Sequence, residues 1–318
     1  MPTEVKAYSL EASAVRPPNF IIGGSSASGT SFLSAILQQH PQVYLPAKMR
    51  PEPHFFYKSW EFSRGWSYYL ERWFNNVPQR CIAVGERSSS YLYGGRETAD
   101  KIFQCVPEVK LVFILRNPIE RTWANYRYTV LEGLEELSFT EALERESDRV
   151  NSSTGVWGEI QPFDYTGRGF YGQQVAEFLE VFDRNQIHLM KSENLSLSTD
   201  VCIARLGLFM GLSLEGWSYR RPPEFTSLNV IDAQKQVQLR AELGERFDLV
   251  VEAVRLGQQL DSLGESLQEQ RLINQLQSNL KSSKVSMPDS VRKYLRRLFS
   301  EDIQLLTKFV DFDVSDWQ

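Results

Sequence analysis

Short uninterrupted apolar runs alternate along this chain with segments whose apolar residues recur every three to four positions. The first run, Asn19-Phe-Ile-Ile22, reads as a strand. It feeds Gly23-Gly-Ser-Ser-Ala-Ser-Gly29, and from Thr30 the spacing of Phe32, Leu33, Ile36 and Leu37 predicts a helix, with Ser28 or Thr30 as its N-cap. Ile82–Gly85 is a second strand candidate and runs into Glu86 and Arg87. The run through Lys110–Leu115 is apolar at consecutive positions, as suits a strand buried on both faces of a parallel sheet. Ile187–Met190 supplies a fourth strand. Helical spacing marks 96–105, 119–132 just after Pro118, 175–183, 198–210 and 288–310. Strands alternating with helices predict an α/β domain layered around a mostly parallel central sheet.

The pattern weakens in two places. Residues 1–18 read as a loose arm closed by Pro17-Pro18, which leaves 19–318 as the folded domain. Residues 233–281 are rich in Gln, Leu and Glu and are interrupted at Gly257 and Gly264. They predict one broken helix or a helical hairpin inserted in the domain, a packing element through which a homo-oligomer could form.

Composition narrows the function classes. The 318 residues carry 35 Lys and Arg against 40 Asp and Glu, a formal charge of −5, which disfavours a nucleic-acid binder that relies on bulk positive charge. At 42% hydrophobic and 24% charged, the chain is ordinary for a globular protein rather than a disordered one. Cys81, Cys105 and Cys202 form no CxxC pair, and His40, His54 and His188 have no metal-ligand spacing, so neither a disulfide framework nor a zinc site is expected. No apolar run reaches the ~18 residues of a membrane span, and the N-terminus lacks the apolar stretch of a secretory signal. A cytoplasmic setting is the resulting expectation.

Candidate chemistry lies at two strand ends. A strand, a Gly/Ser loop and a helix in that order aim backbone N–H groups and the positive end of the helix dipole at one point, where an anion can bind. Gly24, Ser25, Ser26, Ala27, Ser28, Gly29, Thr30 and Ser31 form this loop; it lacks the GK[ST] of a nucleotide-hydrolase loop. Taken alone it is equally an ordinary connection. The second strand end is Leu115, followed by Arg116-Asn-Pro-Ile-Glu-Arg121, and an arginine there stands where ligands bind in open α/β sheets. The plainer alternative is that Arg116 and Arg121 pair with carboxylates such as Glu120.

Four segments together resemble the sulfotransferases that use 3′-phosphoadenosine 5′-phosphosulfate (PAPS), nearest in pattern to their carbohydrate and heparan-type branch. These are Gly24 to Leu33, Pro51-Glu-Pro-His-Phe-Phe56, Glu86-Arg-Ser-Ser-Ser-Tyr91, and the block LRNPIERTWANY that contains Arg116. The similarity continues through Ser138–Leu143, Arg168–Tyr171, Glu193–Leu195 and the C-terminal VRKYLRRLF. It implies a P-loop-like α/β fold, PAPS as co-substrate, no metal, and a hydroxyl acceptor on a glycan or a hydroxylated small molecule. By that resemblance the Gly24–Ser31 loop holds the 5′-phosphosulfate, and Arg116, Arg121 and the position of Ala124 face the 3′-phosphate. Arg168 and Tyr171 cover the nucleotide. Glu52 is the base, with His54 as its rival or as a substrate-binding group, and the aromatic neighbours of Glu52 are expected to raise its pKa. Arg87 stands where the family has a lysine and contacts the sulfonate or the acceptor, while Tyr91 lines the same cleft.

Two positions depart from the family pattern. Ala27 replaces the loop cation and Ala124 replaces the 3′-phosphate serine. Lys48, Arg50 and Arg87 are the candidate substitutes for the cation, and Thr122 and Asn125 are weaker substitutes for the serine. The alternative reading is a catalytically degenerate nucleotide- or glycan-binding protein on the same fold. A P-loop kinase ranks last, lacking the loop lysine. Tyr57, Trp60, Trp66, Tyr68, Tyr69, Trp73 and Phe74 serve either core packing or the acceptor site.

Overall fold

Among the described residues five parallel strands form the central sheet, in the spatial order Val43–Tyr44, Ala83–Arg87, Phe20–Gly24, Lys110–Leu115, Ile187–Lys191. The computed structural model from which this is read describes residues 13–47, 51–222, 228–258, 260, 264–283 and 285–317. Every residue of Phe20–Gly24 and Ala83–Arg87 is buried, which is why these runs are continuous rather than alternating. Two glycines make room for rings in the sheet. A Cβ on Gly85 would lie 2.5 Å from the Phe20 ring, and one on Gly23 would lie 2.6 Å from the Phe113 ring.

The predicted strands and helices are present with shifted ends. The second strand begins at Ala83 because Ile82 points outward, 46% exposed, and it continues to Arg87. The Val43–Tyr44 edge strand was too short to show a period. The end of the supposed loose arm is paired: Ser13–Ala14 runs antiparallel to Val77–Pro78. The helix after Leu115 spans Pro118–Leu131, with Asn117 accepting the Ile119 N–H at 3.0 Å as its cap. The expected cap of the first helix is corrected. Thr30–Leu37 is preceded by Gly29 in a left-handed conformation with no side-chain cap, because the Ser28 hydroxyl is turned to Ser25 at 2.6 Å.

The chain divides into two compact units, Met1–Leu115 with Gln174–Pro222, and Arg116–Gln173 with Pro223–Gln318. In the first, Leu33 and Ile36 of the first helix and Ile203 and Leu206 of Thr199–Met210 pack on Phe20, Ile22, Val112 and Ile114 of the sheet. In the second, the described residues of 233–281 form three helices rather than one broken helix or a hairpin: Ala233–Leu243, Arg246–Arg255 and Leu267–Asn279. They bury Leu239, Phe247, Val250, Ile273 and Leu276 together with Leu131, and Leu228–Val230 pairs antiparallel with Leu280–Ser282 to close the group.

Candidate active site

The Gly/Ser loop leaves the carboxyl end of the central strand. Ser25 is anchored to the next strand, its N–H donating to the Ile114 carbonyl at 2.8 Å and its hydroxyl to the same oxygen at 3.1 Å. Gly24, Ala27 and Gly29 have φ of 152°, 63° and 99°, so the chain doubles back before the helix starts. The first-turn N–H groups of Thr30, Ser31 and Phe32 have no intrahelical acceptors and face the loop end, as in an anion cradle. Ala27 is exposed and brings no charge.

Beside the loop, the Ala83–Arg87 strand carries its alternation of faces past its end. Arg87 and Ser89 point one way and converge on Glu52. Arg87 Nη1 donates to Glu52 Oε1. The Ser89 N–H and hydroxyl donate to Oε2 at 2.7 and 2.8 Å, and His54 Nε2 stands 3.1 Å from the same oxygen. The Ser89 carbonyl also lies 3.3 Å from where a Cβ on Gly24 would stand, so the carboxylate and the loop share a neighbour. Burial alone would raise the Glu52 pKa, but the His54, Arg87 and Ser89 contacts outweigh it and hold the carboxyl at about 2. The expected upward shift is thus corrected: the donors, not the aromatic residues, decide it. His54 adopts a left-handed backbone, φ 46°, which costs about 1–2 kcal/mol for a residue with a Cβ. Its N–H donates to the Ser88 hydroxyl at 2.8 Å.

Glu86 and Ser88 point the other way. Glu86 is wholly buried and accepts from the Tyr91 and Tyr69 hydroxyls at 2.6 and 2.9 Å on Oε1 and from Ser88 at 2.6 Å on Oε2. Burial pushes its pKa up to about 7 against these three hydrogen bonds. Tyr91 therefore does not line a cleft; it is 0% exposed and its hydroxyl is committed to Glu86. Of this block only Arg87 and Tyr91 stand out in the sequence, although Glu86, Ser88 and Ser89 make most of its hydrogen bonds at the site. The alternation of polar residues leaving a buried strand was the signal for them.

Aromatic residues pack around Phe55, three residues after Glu52. Phe55 stacks on Tyr69 with ring centres 4.4 Å apart, and Trp66 stacks on Tyr69 at 5.3 Å. Tyr69 and Phe74 are fully buried, while Tyr57, Trp60, Trp66, Tyr68 and Trp73 are partly exposed.

The loop, Glu52, His54 and Arg87 belong to the first unit; Arg116, Arg121, Ala124, Arg168 and Tyr171 belong to the second. Arg116 is half-buried at the residue after the strand. Arg121 is wholly buried and donates to Asn125 at 2.9 Å, to Thr122 at 3.3 Å and to the Tyr165 carbonyl. Burial lowers its pKa to about 10, so it stays charged at neutral pH. Glu120, the proposed plain partner of these arginines, pairs instead with Arg292. Arg168 donates to the Ile160 carbonyl at 2.6 Å, and the Tyr171 ring lies 6.3 Å from that of Trp317. Ala124 is partly exposed on the Pro118–Leu131 helix, where Thr122 already donates to the Pro118 carbonyl at 2.8 Å. Of the candidate substitutes for the loop cation, Arg87 is engaged by Glu52, and Lys48 and Arg50 lie outside the described residues. Among the described residues no cluster of three or more His, Cys, Asp or Glu side chains could hold a metal ion, and no helix is long and apolar enough to cross a membrane.

Several known proteins are similar to this chain. A family model described as "Sulfotransferase domain" matches residues 17–242. The membrane-associated sulfotransferase kil1 of Dictyostelium discoideum is 29% identical over 115 residues, covering 36% of this chain and 23% of that protein. The heparan sulfate glucosamine 3-O-sulfotransferase 6 of Homo sapiens is 25% identical over 205 residues, covering 62% of this chain and 53% of that protein. The chain thus spans between about a quarter and about half of the length of these curated relatives. A crystal structure of a sulfotransferase from Alicyclobacillus acidocaldarius shares the fold, with a TM-score of 0.66 at 24% identity over 95% of this chain and 99% of that one.

Proposed function

The chain belongs to the sulfotransferase-domain family, and from that premise we propose that it transfers a sulfuryl group from PAPS to a hydroxyl acceptor, with a glycan hydroxyl as the leading class. The observation that carries this reading is the Glu52 carboxylate, kept ionised by Arg87, His54 and Ser89 beside a loop built to cradle an anion.

The first-turn N–H groups after Gly29 fit the 5′-phosphosulfate of the co-substrate, which supplies the activated sulfuryl group. Glu52 accepts the hydrogen bond of the acceptor hydroxyl and takes its proton. The new bond joins the acceptor oxygen to sulfur, and the bond between sulfur and the bridging phosphate oxygen breaks, leaving a sulfate ester and 3′-phosphoadenosine 5′-phosphate. A carboxylate this acidic takes a full proton late, once the oxygen is committed to sulfur, as in other loose group transfers. Arg87 keeps Glu52 charged and offers a second positive face to the transferring group. Arg116 is assigned to the 3′-phosphate.

Calorimetry with 3′-phosphoadenosine 5′-phosphate and with ATP, followed by turnover of PAPS on a heparan-type oligosaccharide, tests this reading. Tight binding of the first nucleotide alone, with transfer of labelled sulfate, is expected. Preference for ATP, or binding without transfer to any hydroxyl acceptor, would overturn it.

A further inference from the structure

We propose that Glu86 is a positioning residue, which fixes the Glu52–Phe56 segment from behind through two hydroxyl relays. One relay runs from Oε2 through the Ser88 hydroxyl to the His54 N–H, with steps of 2.6 and 2.8 Å. The other runs from Oε1 through the Tyr91 hydroxyl to the Phe56 N–H, with steps of 2.6 and 3.4 Å. Each hydroxyl donates to the carboxyl and accepts from the backbone, so a single buried group orients two hydrogen bonds it does not itself make. The two backbone sites bracket the part of the chain that matters. His54 is held in a left-handed conformation, and its imidazole reaches Glu52 Oε2 from that backbone. Phe56 is 0% exposed and sets the other end of the segment.

Tyr69 also donates to Oε1 at 2.9 Å, so the carboxyl is held from three sides. Wholly burying a carboxyl is costly, and the hydrogen bonds around Glu86 offset that cost only in part, as its raised pKa records. A residue required only to fill this space would be apolar. Glu86 and Ser88 share one face of the outgoing strand, while Arg87 and Ser89 on the other face hold Glu52 directly, so four consecutive residues grip the segment from both sides.

The inference rests on the sulfuryl-transfer reading for its consequence but not for its geometry, and the test separates the two. Amide exchange at His54 and Phe56 is measured by NMR in the full chain and in Ser88→Ala, Ser88→Thr, Tyr91→Phe, Glu86→Gln and Glu86→Ala, with kcat and nucleotide KM measured in parallel. Ser88→Ala is expected to speed exchange at His54 about tenfold or more, and Tyr91→Phe to do the same at Phe56. Glu86→Ala speeds both. Ser88→Thr, which keeps the hydroxyl, stays near wild type; Glu86→Gln, whose single amide oxygen faces the Tyr91 and Tyr69 hydroxyls, leaves Phe56 near wild type and speeds exchange at His54, where the Ser88 relay loses its acceptor. The Leu92 amide, bonded to the Gly23 carbonyl, stays protected throughout. Kcat falls in step with exchange, about tenfold for each broken relay, and nucleotide KM stays within about twofold. Unchanged exchange at both amides in Ser88→Ala and Tyr91→Phe overturns the relay even if Glu86→Ala fails to fold. Equal losses in kcat and nucleotide affinity overturn its positioning role. Absence of turnover in the wild type overturns the sulfuryl-transfer reading, while the exchange rates decide the relay on their own.

Discussion

Glu52 and Glu86 are pushed in opposite directions by neighbours drawn largely, but not wholly, from Arg87–Tyr91. Glu52 is held at about 2 because charged and N–H donors overcome burial, and Glu86 rises to about 7 because only neutral hydroxyls oppose burial. Replacing Glu52 by Gln keeps its size but removes the proton acceptor, so turnover is expected to fall by about two to four orders of magnitude with nucleotide affinity little changed. A rate within about threefold of wild type at saturating PAPS would remove Glu52 from the chemistry. Stability responds to the pair with opposite signs. The depressed pKa of Glu52 contributes about 3 kcal/mol that is present above about pH 4.5 and lost as pH falls toward 2. The raised pKa of Glu86 contributes stability below about pH 4.5 that is lost as pH climbs through 7. Glu86→Gln is therefore expected to flatten the decline in thermal midpoint between pH 5 and 8, with Glu146, whose pKa is also raised to about 7, left to supply the remaining slope. An unchanged slope in that variant would mean that Glu86 does not titrate in this window. The direction at Glu52 was only partly legible in the sequence, because His54, its strongest opposing partner, is two residues away while Arg87 and Ser89 lie 35 and 37 residues away. The aromatic pair Phe55 and Phe56 just beyond Glu52 pointed to the opposite shift.

The strand–loop–helix element was legible because its signals are local: an apolar run, then glycines, then a helical period. Gly29 is the sensitive position for conformation rather than for space. A Cβ there meets nothing closer than 3.7 Å, but φ is 99°, a region a β-branched residue does not adopt without strain. Gly29→Val is expected to re-aim the first turn of Thr30–Leu37 and to cost tenfold or more in nucleotide affinity by calorimetry; full affinity would reduce the loop to a connector. Gly85 is the converse case, limited by space alone. Its Cβ would enter the Phe20 ring at 2.5 Å, so Gly85→Ala is expected to destabilise by about 1–3 kcal/mol in urea, and a neutral result would show that the ring yields. The helices of 233–281 were only half legible. Gly257 and Gly264 announced breaks, but Gly244, at φ 54°, ends Ala233–Leu243 inside what reads as a continuous apolar period. The Leu228–Val230 and Leu280–Ser282 pairing is a contact between distant positions, which no local period reports.

Neither compact unit is a continuous stretch of chain, for each is interrupted by part of the other. The first unit takes its last strand, Ile187–Lys191, from beyond the first segment of the second. A fragment ending at Gln186 lacks that strand and is expected to aggregate on expression, while the full chain remains soluble. A monomeric fragment with a cooperative thermal transition would refute this. The same interleaving sets an order on events at the ribosome. Lys110–Leu115 can join Phe20–Gly24 as soon as it emerges, but its other edge has no partner until Ile187–Lys191 has been synthesised. At about 5–20 residues per second, Arg116 to Gln186 takes about 4–14 s to make. For that interval a fully apolar strand edge, Leu111 to Leu115, stands open on the nascent chain, the kind of surface that recruits holding chaperones or pairs with a neighbouring polypeptide. Slower codons placed across Arg116–Gln186 would lengthen the exposure, and faster ones would shorten it, with the finished protein identical in either case.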